Sequence, residues 1–459
     1  MTAPRAKLAI RRVLVANRGE VAVRVVRACR DLGVESVVAF SEPDRGSLAT
    51  QLADDAICIG PASAKDSYLN TTALLSAALA KGCDAVHPGY GFLAESPEFV
   101  DKCESNGLIF IGPRAETMRA LGDKLSARRT AAALGVPIVP GGTVDGELAT
   151  PAAIVEQVGL PLLVKASAGG GGRGLRRVDT PEQLPAALAQ CAAEARAAFD
   201  DDTLYVERYL TNARHVEVQV FGDQHGNVIH LFERDCTTQR RYQKLLEEAP
   251  SPALSDEARV AVTDSACLLA RETGYEGAGT VEFLFDQSTG EHFFIEMNTR
   301  LQVEHPVTEL LTGLDLVRMQ LQVAAGERLP VLQEDVTMRG HVVEFRINAE
   351  DARKGFLPSA GTIGRWRPPT GPWVRVDTHM EQGQDVSPFY DSLLAKVIVW
   401  GATRGQVLER SRRVLDEFVV EGVPTTLPFH LWLLEQPDFV TSQLYTTWVD
   451  TNWARTVEP

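Results

Sequence analysis

The chain has 459 residues, of which 44% are hydrophobic and 23% charged, with a formal net charge of -15. That length exceeds one ordinary domain, so roughly two to four compact units with ample core are expected, and the composition is that of a soluble globular protein. The acidic balance argues against a general nucleic-acid-binding surface but leaves room for a local basic pocket. No apolar run reaches the length of a membrane span, and Met1–Arg12 lacks a secretory hydrophobic region. The seven cysteines are scattered without CxxC spacing, which fits reduced thiols in a cytoplasm.

The first third alternates short apolar runs (13–16, 36–40, 56–59, 84–87, 108–111) with helical patterns such as Val21–Asp31, ended by Gly33, and Asn70–Ala80, ended by Gly82. This order predicts a doubly wound, parallel sheet. Asn17–Glu20 follows the first strand, where a dinucleotide fingerprint would carry three glycines, but only Gly19 is present. NAD binding is therefore not expected. The turn-rich loop His87–Phe92, which contains Tyr90, falls at the carboxyl edge of the same sheet, where functional loops collect.

The middle unit carries a strand, Leu162–Ala166, with Lys165 on it, and then glycines 169 to 172, with Arg173 and Gly174 after them. Glycines 169–172 lie between a strand and further structure rather than between domains, which weakens the linker reading. Their backbone N–H groups can wrap an anion, and a mobile lid over phosphates is expected. An Ala-rich helix, Leu184–Phe199, precedes a strand that carries Glu207. This glutamate is placed to accept from an adenine amino group, with the backbone at Leu210 beside it. Strands over 215–220 and 228–232 follow, joined by a turn at 223–226. Arg234, Arg240, Arg241 and Lys244 then cluster in an otherwise acidic chain and suggest an anion pocket.

The stretch Phe294–His305 organises the rest. Read with a period of two, it sets Glu296, Asn298, Arg300, Gln302 and Glu304 on one side and apolar residues or Thr on the other. Glu282 lies in the preceding apolar strand, 280–285. If Glu282 and Glu296 face each other, two bare carboxylates about 4 Å apart repel by roughly 4 kcal/mol at an effective dielectric of 20, so a cation should sit between them. Oxygen and amide ligands suit Mg²⁺ or Mn²⁺, which keep substrate phosphates in their shell. A metal-phosphate site is the reading. His305, beside Glu304 and before Pro306, reads as structural. Beyond about Gly340, the runs 342–348, 355–359, 373–376 and 393–400 suggest a mainly antiparallel sheet, followed by an amphipathic helix over 407–419.

Several motifs coincide in order from about Arg12 to about residue 450: Ala16–Glu20, His87–Leu93, Gly122–Lys124, Lys165 with its glycine run, Arg234–Cys236, the 294–305 stretch and Arg346–Asp351. Together they closely resemble the biotin carboxylase family, which has the ATP-grasp fold. The resemblance implies an α/β and α+β multidomain chain. Its parts are a Rossmann-like N-terminal domain (1–122), an ATP-grasp domain (123–335) with a mobile lid at about 137–209, and a mainly antiparallel C-terminal biotin carboxylase domain (336–459).

It implies ATP, Mg²⁺ or Mn²⁺, bicarbonate and biotin as ligands, with carboxyphosphate formed and broken down before CO₂ is captured by a biotin nitrogen. Carried over by position, Glu282, Glu296 and Asn298 match the metal ligands. Lys124, Lys165 and Gly169, Gly170, Gly171 and Gly172 match the phosphate contacts, and Glu207, Leu210, His215 and Gln239 the nucleotide pocket. Lys244, Arg300, Gln302 and Val303 match the bicarbonate pocket, Glu304 the general base, and Arg346 the cation that stabilises the biotin anion. Tyr90 and Asp391 match parts of the biotin pocket. Ala168, Arg208 and Tyr242 depart from the usual pattern around the nucleotide.

The sequence contains no Ala-Met-Lys-Met biotinylation signature, so biotin is expected on a separate carrier protein. Carboxyltransferase subunits and a homodimer are expected as further partners, in a cytoplasmic acetyl-CoA carboxylase. Propionyl-CoA, pyruvate or other carboxylases, another ATP-grasp ligase, and a silent regulatory subunit are the alternatives.

Overall fold

The computed structural model describes residues 10–145, 148–166, 175–199 and 202–453. Glycines 169–172 and Ala168, with the lid expected there, lie outside the described residues.

The first unit is built on five parallel strands, β1 (Arg12–Val15), β2 (Glu35–Ser41), β3 (Asp55–Gly60), β4 (Ala85–His87) and β5 (Ile109–Phe110), in the spatial order β3-β2-β1-β4-β5. The order reverses beside β1, the switch point at which open α/β sheets present their loops to ligands. Helix α1 (Gly19–Asp31) starts there, and it buries Val21, Val25, Val26 and Cys29 against the sheet. Gly19 takes φ +70°, a left-handed conformation that favours glycine. Helix Thr71–Ala80 is capped by the Asn70 side chain, which accepts from the Ala73 N–H at 3.0 Å.

The second unit is a four-stranded antiparallel sheet of β6 (Gly141–Thr143), β7 (Leu162–Ala166), β8 (Leu175–Val178) and β9 (Leu204–Arg208), in the order β6-β9-β7-β8. It has a core of its own, made by Ile154, Leu162, Val164, Leu184, Cys191 and Val206.

The third unit is an eight-stranded antiparallel sheet. It runs β14 (His292–Asn298), β13 (Gly277–Asp286), β10 (Ala213–Gly222), β11 (Val228–Arg240), β12 (Gln243–Ala249), β15 (His341–Asn348), then Leu393–Gly401 and Val374–Thr378. The strands beyond Gly340 therefore do not form a separate sheet. β15 pairs with β12, so the sheet passes without a break across residue 336. Every residue of β10 is buried, although Arg214, His215, Glu217 and Gln219 alternate with Val216, Val218 and Val220. The valines join the apolar core beneath the sheet. The polar face is covered by the charged site.

Two expectations fail locally. The segment 355–359 forms only the two-residue strand Leu357–Pro358, after a 3-10 turn at Ala352–Lys354. The period-two pattern of 294–305 holds only to Asn298. Residues 299–304 leave the sheet, and Glu304 becomes the cap residue of helix His305–Thr312. Pro306 explains the break, because it lacks the N–H a strand needs yet suits the first turn of a helix.

Candidate active site

A cleft of about 1300 Å³ opens between the three units. Its floor is the polar face of the eight-stranded sheet. In the antiparallel register Glu282 on β13 stands directly opposite Glu296 on β14, and Glu217 on β10 directly opposite Glu282. Three carboxylates in adjacent strands repel unless cations lie among them. Lys244, from β12, supplies one: its Nζ lies 2.5 Å from Glu217, 3.2 Å from Glu282 and 2.6 Å from Glu304. Burial would discharge this ammonium, but the three carboxylates outweigh it and raise the Lys244 pKa well above the usual lysine value.

The other carboxylates are matched in the same way. Asn298 Nδ2 donates to Glu282 at 2.8 Å, and His215 Nε2 lies 2.9 Å from the same carboxylate. Burial lowers the His215 pKa, but Glu282 more than compensates and raises it, favouring the imidazolium. Glu296 pairs with Lys124 at 2.9 Å, from the helix that follows Asp123. Burial opposes Lys124's charge, yet Glu296, Glu282 and Glu207 raise its pKa.

Glu304 is fully buried, with Oε1 on Lys244 and Oε2 accepting from Arg346 Nη2 at 2.8 Å. Burial works against its ionisation, and Lys244, Arg346 and Arg234 overcome that to hold it well below the usual carboxylate range. Arg346 also donates from Nε to Glu247 at 2.6 Å. Burial pushes Glu247 up to about 7 against the pull of Arg346. Arg300 lies 3.0 Å from Glu95, a residue of the parallel-sheet unit, and donates to Gln302 and Asn298 at 3.2 Å. The buried Gln302 Nε2 has no hydrogen-bond partner among the described residues. An orphaned donor beside Arg300 and Lys244 suits an anion.

Lys165 pairs with Glu207 across β7 and β9 at the outer wall of the cleft, with Leu210, Gln239 and the exposed Tyr242 around it. Glu207 is therefore not free to meet an adenine amino group, as its sequence position suggests, but is engaged by a lysine. Tyr90 and Asp391 line the opposite end, the Tyr90 hydroxyl donating to Glu20. The expected anion pocket at Arg234 is not there. Arg234 is fully buried and spends its donors on Glu217 at 2.6 Å, Gln219 and Thr308 at 2.8 Å and Thr280 at 3.1 Å. It is a brace under the site. His305 is structural, as expected: it is buried, its Nδ1 lies 2.8 Å from the Gln302 carbonyl, and burial holds its pKa well below the usual histidine value.

Sequence reading missed Glu217, Glu247 and Glu95. For Glu217 a signal existed, since His215, Glu217 and Gln219 alternate with valines in one strand.

A lysine-bridged set of strand carboxylates, set in a cleft between a parallel domain and two antiparallel sheets, defines an ATP-grasp enzyme. Residues 9–118 match the family described as biotin carboxylase, N-terminal domain. Residues 123–332 match the carbamoyl-phosphate synthase L chain, ATP binding domain, and residues 344–451 the biotin carboxylase C-terminal domain. Biotin carboxylase 1 of Bacillus subtilis is 49% identical over 444 residues, which is 96% of this chain and 98% of that protein. The biotin carboxylase of Campylobacter jejuni, solved as a β,γ-ATP complex, superposes with a TM-score of 0.91 at 43% identity, covering 96% of this chain and 99% of that one. The biotin carboxylase domain dimer of Hydrogenobacter thermophilus 2-oxoglutarate carboxylase, solved with MgADP, ADP and bicarbonate, also gives 0.91 at 43% identity, covering 98% and 99%. The chain belongs to the biotin carboxylase family of ATP-dependent ligases. Among the described residues no helix is long and apolar enough to cross a membrane.

Proposed function

We propose that the chain carboxylates biotin on a separate carrier protein, using ATP and bicarbonate, as the first half-reaction of acetyl-CoA carboxylase. The observation that carries this reading is the Glu304 carboxylate, buried and gripped by Lys244 on one oxygen and Arg346 on the other, beside the Glu282–Glu296 pair.

Lys244, Arg300, Gln302 and the Val303 segment hold bicarbonate, and Glu304 accepts its proton. The resulting oxyanion attacks the γ-phosphorus of ATP, the bond to the β-bridging oxygen breaks, and ADP leaves. Phosphoryl transfer asks little covalent work of a protein, so this ring of cations contributes by positioning and by neutralising charge. Carboxyphosphate then breaks into CO₂ and phosphate. The ureido nitrogen of biotin, deprotonated, attacks CO₂ to form the N–C bond, while Arg346 stabilises the enolate-like biotin anion. Lys124, Lys165 and glycines 169–172 hold the phosphates, and Glu207, Leu210, His215 and Gln239 the rest of the nucleotide. Tyr90 and Asp391 face biotin.

The donor set fits Mg²⁺ or Mn²⁺: the carboxylates of Glu282 and Glu296 with the amide oxygen of Asn298 are hard oxygen ligands, and lysines stand where the cation would neutralise them. When bound, the ion would screen the phosphate charge.

The relatives divide on the acceptor. One solved relative is the biotin carboxylase domain of a 2-oxoglutarate carboxylase, so acceptor choice rests with carboxyltransferase subunits outside this chain. A homodimer in a cytoplasmic complex completes the proposal. The test is ADP release from Mg-ATP and bicarbonate with and without free biotin. Stimulation that needs both supports the reading, and turnover indifferent to biotin refutes it. Reconstitution with carrier protein and either acetyl-CoA or 2-oxoglutarate carboxyltransferase decides the acceptor.

A further inference from the structure

Lys396 occupies the centre of strand Leu393–Gly401, is fully buried, and stands directly opposite Arg346 on β15 and Asp377 on Val374–Thr378. An apolar side chain would fill this sheet position without the desolvation of an ammonium, so the charge calls for an explanation. Its Nζ lies 3.0 Å from Glu20 Oε1 and donates to the Val303 carbonyl at 2.8 Å. Glu20, in the first turn of α1, also accepts from the Tyr90 hydroxyl. Glu344 faces the same ammonium from β15, and Asp377 is already paired with Arg375 at 2.7 Å.

The Val303 carbonyl belongs to the peptide that enters Glu304. Residues 299–304 have left the sheet, so no strand ladder fixes this peptide. The Glu304 tip is held by Lys244 and Arg346, whereas its backbone entry is held by Lys396. We propose that Lys396 is a positioning residue: it fixes the Val303–Glu304 peptide so that the base meets bicarbonate, and through Glu20 it anchors Tyr90 to the same point. One buried ammonium thus ties together β15's neighbour strand, the parallel-sheet unit and the turn that bears the base. This inference rests on the proposed roles of Glu304 and Tyr90.

The test compares three variants of the full chain with the parent, measuring ADP release against MgATP, bicarbonate and free biotin in turn. Lys396→Met should raise the bicarbonate KM about fivefold or more and lower kcat ten- to hundredfold, with the MgATP KM within twofold. Lys396→Met with Glu20→Gln removes both buried charges and should show the same kinetic defect with a melting temperature close to that of the parent. Glu20→Gln alone leaves the ammonium on Val303 and loosens Tyr90, so only the biotin KM should rise, about fivefold. Recovery of both bicarbonate KM and kcat in the double variant would mean that Lys396 merely neutralises Glu20, and would overturn the inference. So would a bicarbonate KM that rises in Glu20→Gln, the variant that decides the matter if the Lys396 variants do not fold. A parent with no bicarbonate-dependent turnover would instead overturn the functional reading beneath it.

Discussion

Replacing Glu304 by Gln removes one charge and almost no volume from the centre of the site. The glutamate accepts from Lys244 at 2.6 Å on one oxygen and from Arg346 at 2.8 Å on the other. A glutamine amide has one oxygen, so it can satisfy only one of these cations and must turn its NH₂ toward the other. Leaving a buried charged donor without its acceptor costs about 1–3 kcal/mol. Lys244 keeps Glu217 and Glu282, and Arg346 keeps Glu247, so the fold should survive. Catalysis should suffer more. Loss of a general base slows a reaction by about 10²–10⁴, equivalent to roughly 3–5 kcal/mol at 1.36 kcal/mol per decade. The expected outcome is a kcat for bicarbonate- and biotin-dependent ADP release lowered by that factor, with the MgATP KM within about twofold, since Lys124, Glu282 and Glu296 are untouched. A folded variant, checked by circular dichroism, that turns over within about threefold of the parent would refute the assignment of the base.

Glu296→Gln weakens the metal side of the cleft and releases Lys124. With one anionic ligand fewer for the cation, the Mg²⁺ concentration for half-maximal turnover should rise about tenfold, and an unchanged Mg²⁺ titration would contradict the placement. Arg346→Met leaves Glu247 and Glu304 without their guanidinium. Breaking such a buried pair costs about 3–5 kcal/mol, so the variant should melt earlier and lose stimulation of ADP release by free biotin; retained stimulation would argue against the role at biotin. Acid stability turns on Glu248: burial alone would raise its pKa, but Arg404 and His341 hold it at about 2 against an ordinary 4.5. A depressed carboxylate contributes stability above pH about 4.5 and loses it as the pH falls toward 2, here about 3 kcal/mol in all. Arg404→Met should therefore move the acid-unfolding midpoint to higher pH in a circular-dichroism titration, and an unmoved midpoint would show that the pair contributes nothing.

The parallel-sheet unit was legible from sequence because its strands are continuous apolar runs punctuated by Gly33 and Gly82, a pattern that short-range sterics and burial enforce locally. The opposition of Glu282 and Glu296 was legible too, through strand alternation. The same reasoning overran at Asn298. Alternation persists in the letters up to Glu304, but Pro306 and the helix it starts end the strand. Arg234 misled for a different reason: a cluster of cations looks the same in sequence whether it meets an anionic ligand or its own buried carboxylates.

What the sequence determined by itself was the alphabet of the site, namely which carboxylates, lysines and arginines are present, in what order, and the local periodicity that places each on a strand face. Family membership followed from that order. Tertiary structure alone decided the partners. Glu217, Glu247 and Lys396 become parts of the site only because β10, β12, β15 and strand Leu393–Gly401 lie side by side in one sheet that the chain assembles across residue 336. Burial and pairing of charges depend on distances between residues as much as 376 positions apart, such as Glu20 and Lys396, and no local pattern encodes those distances.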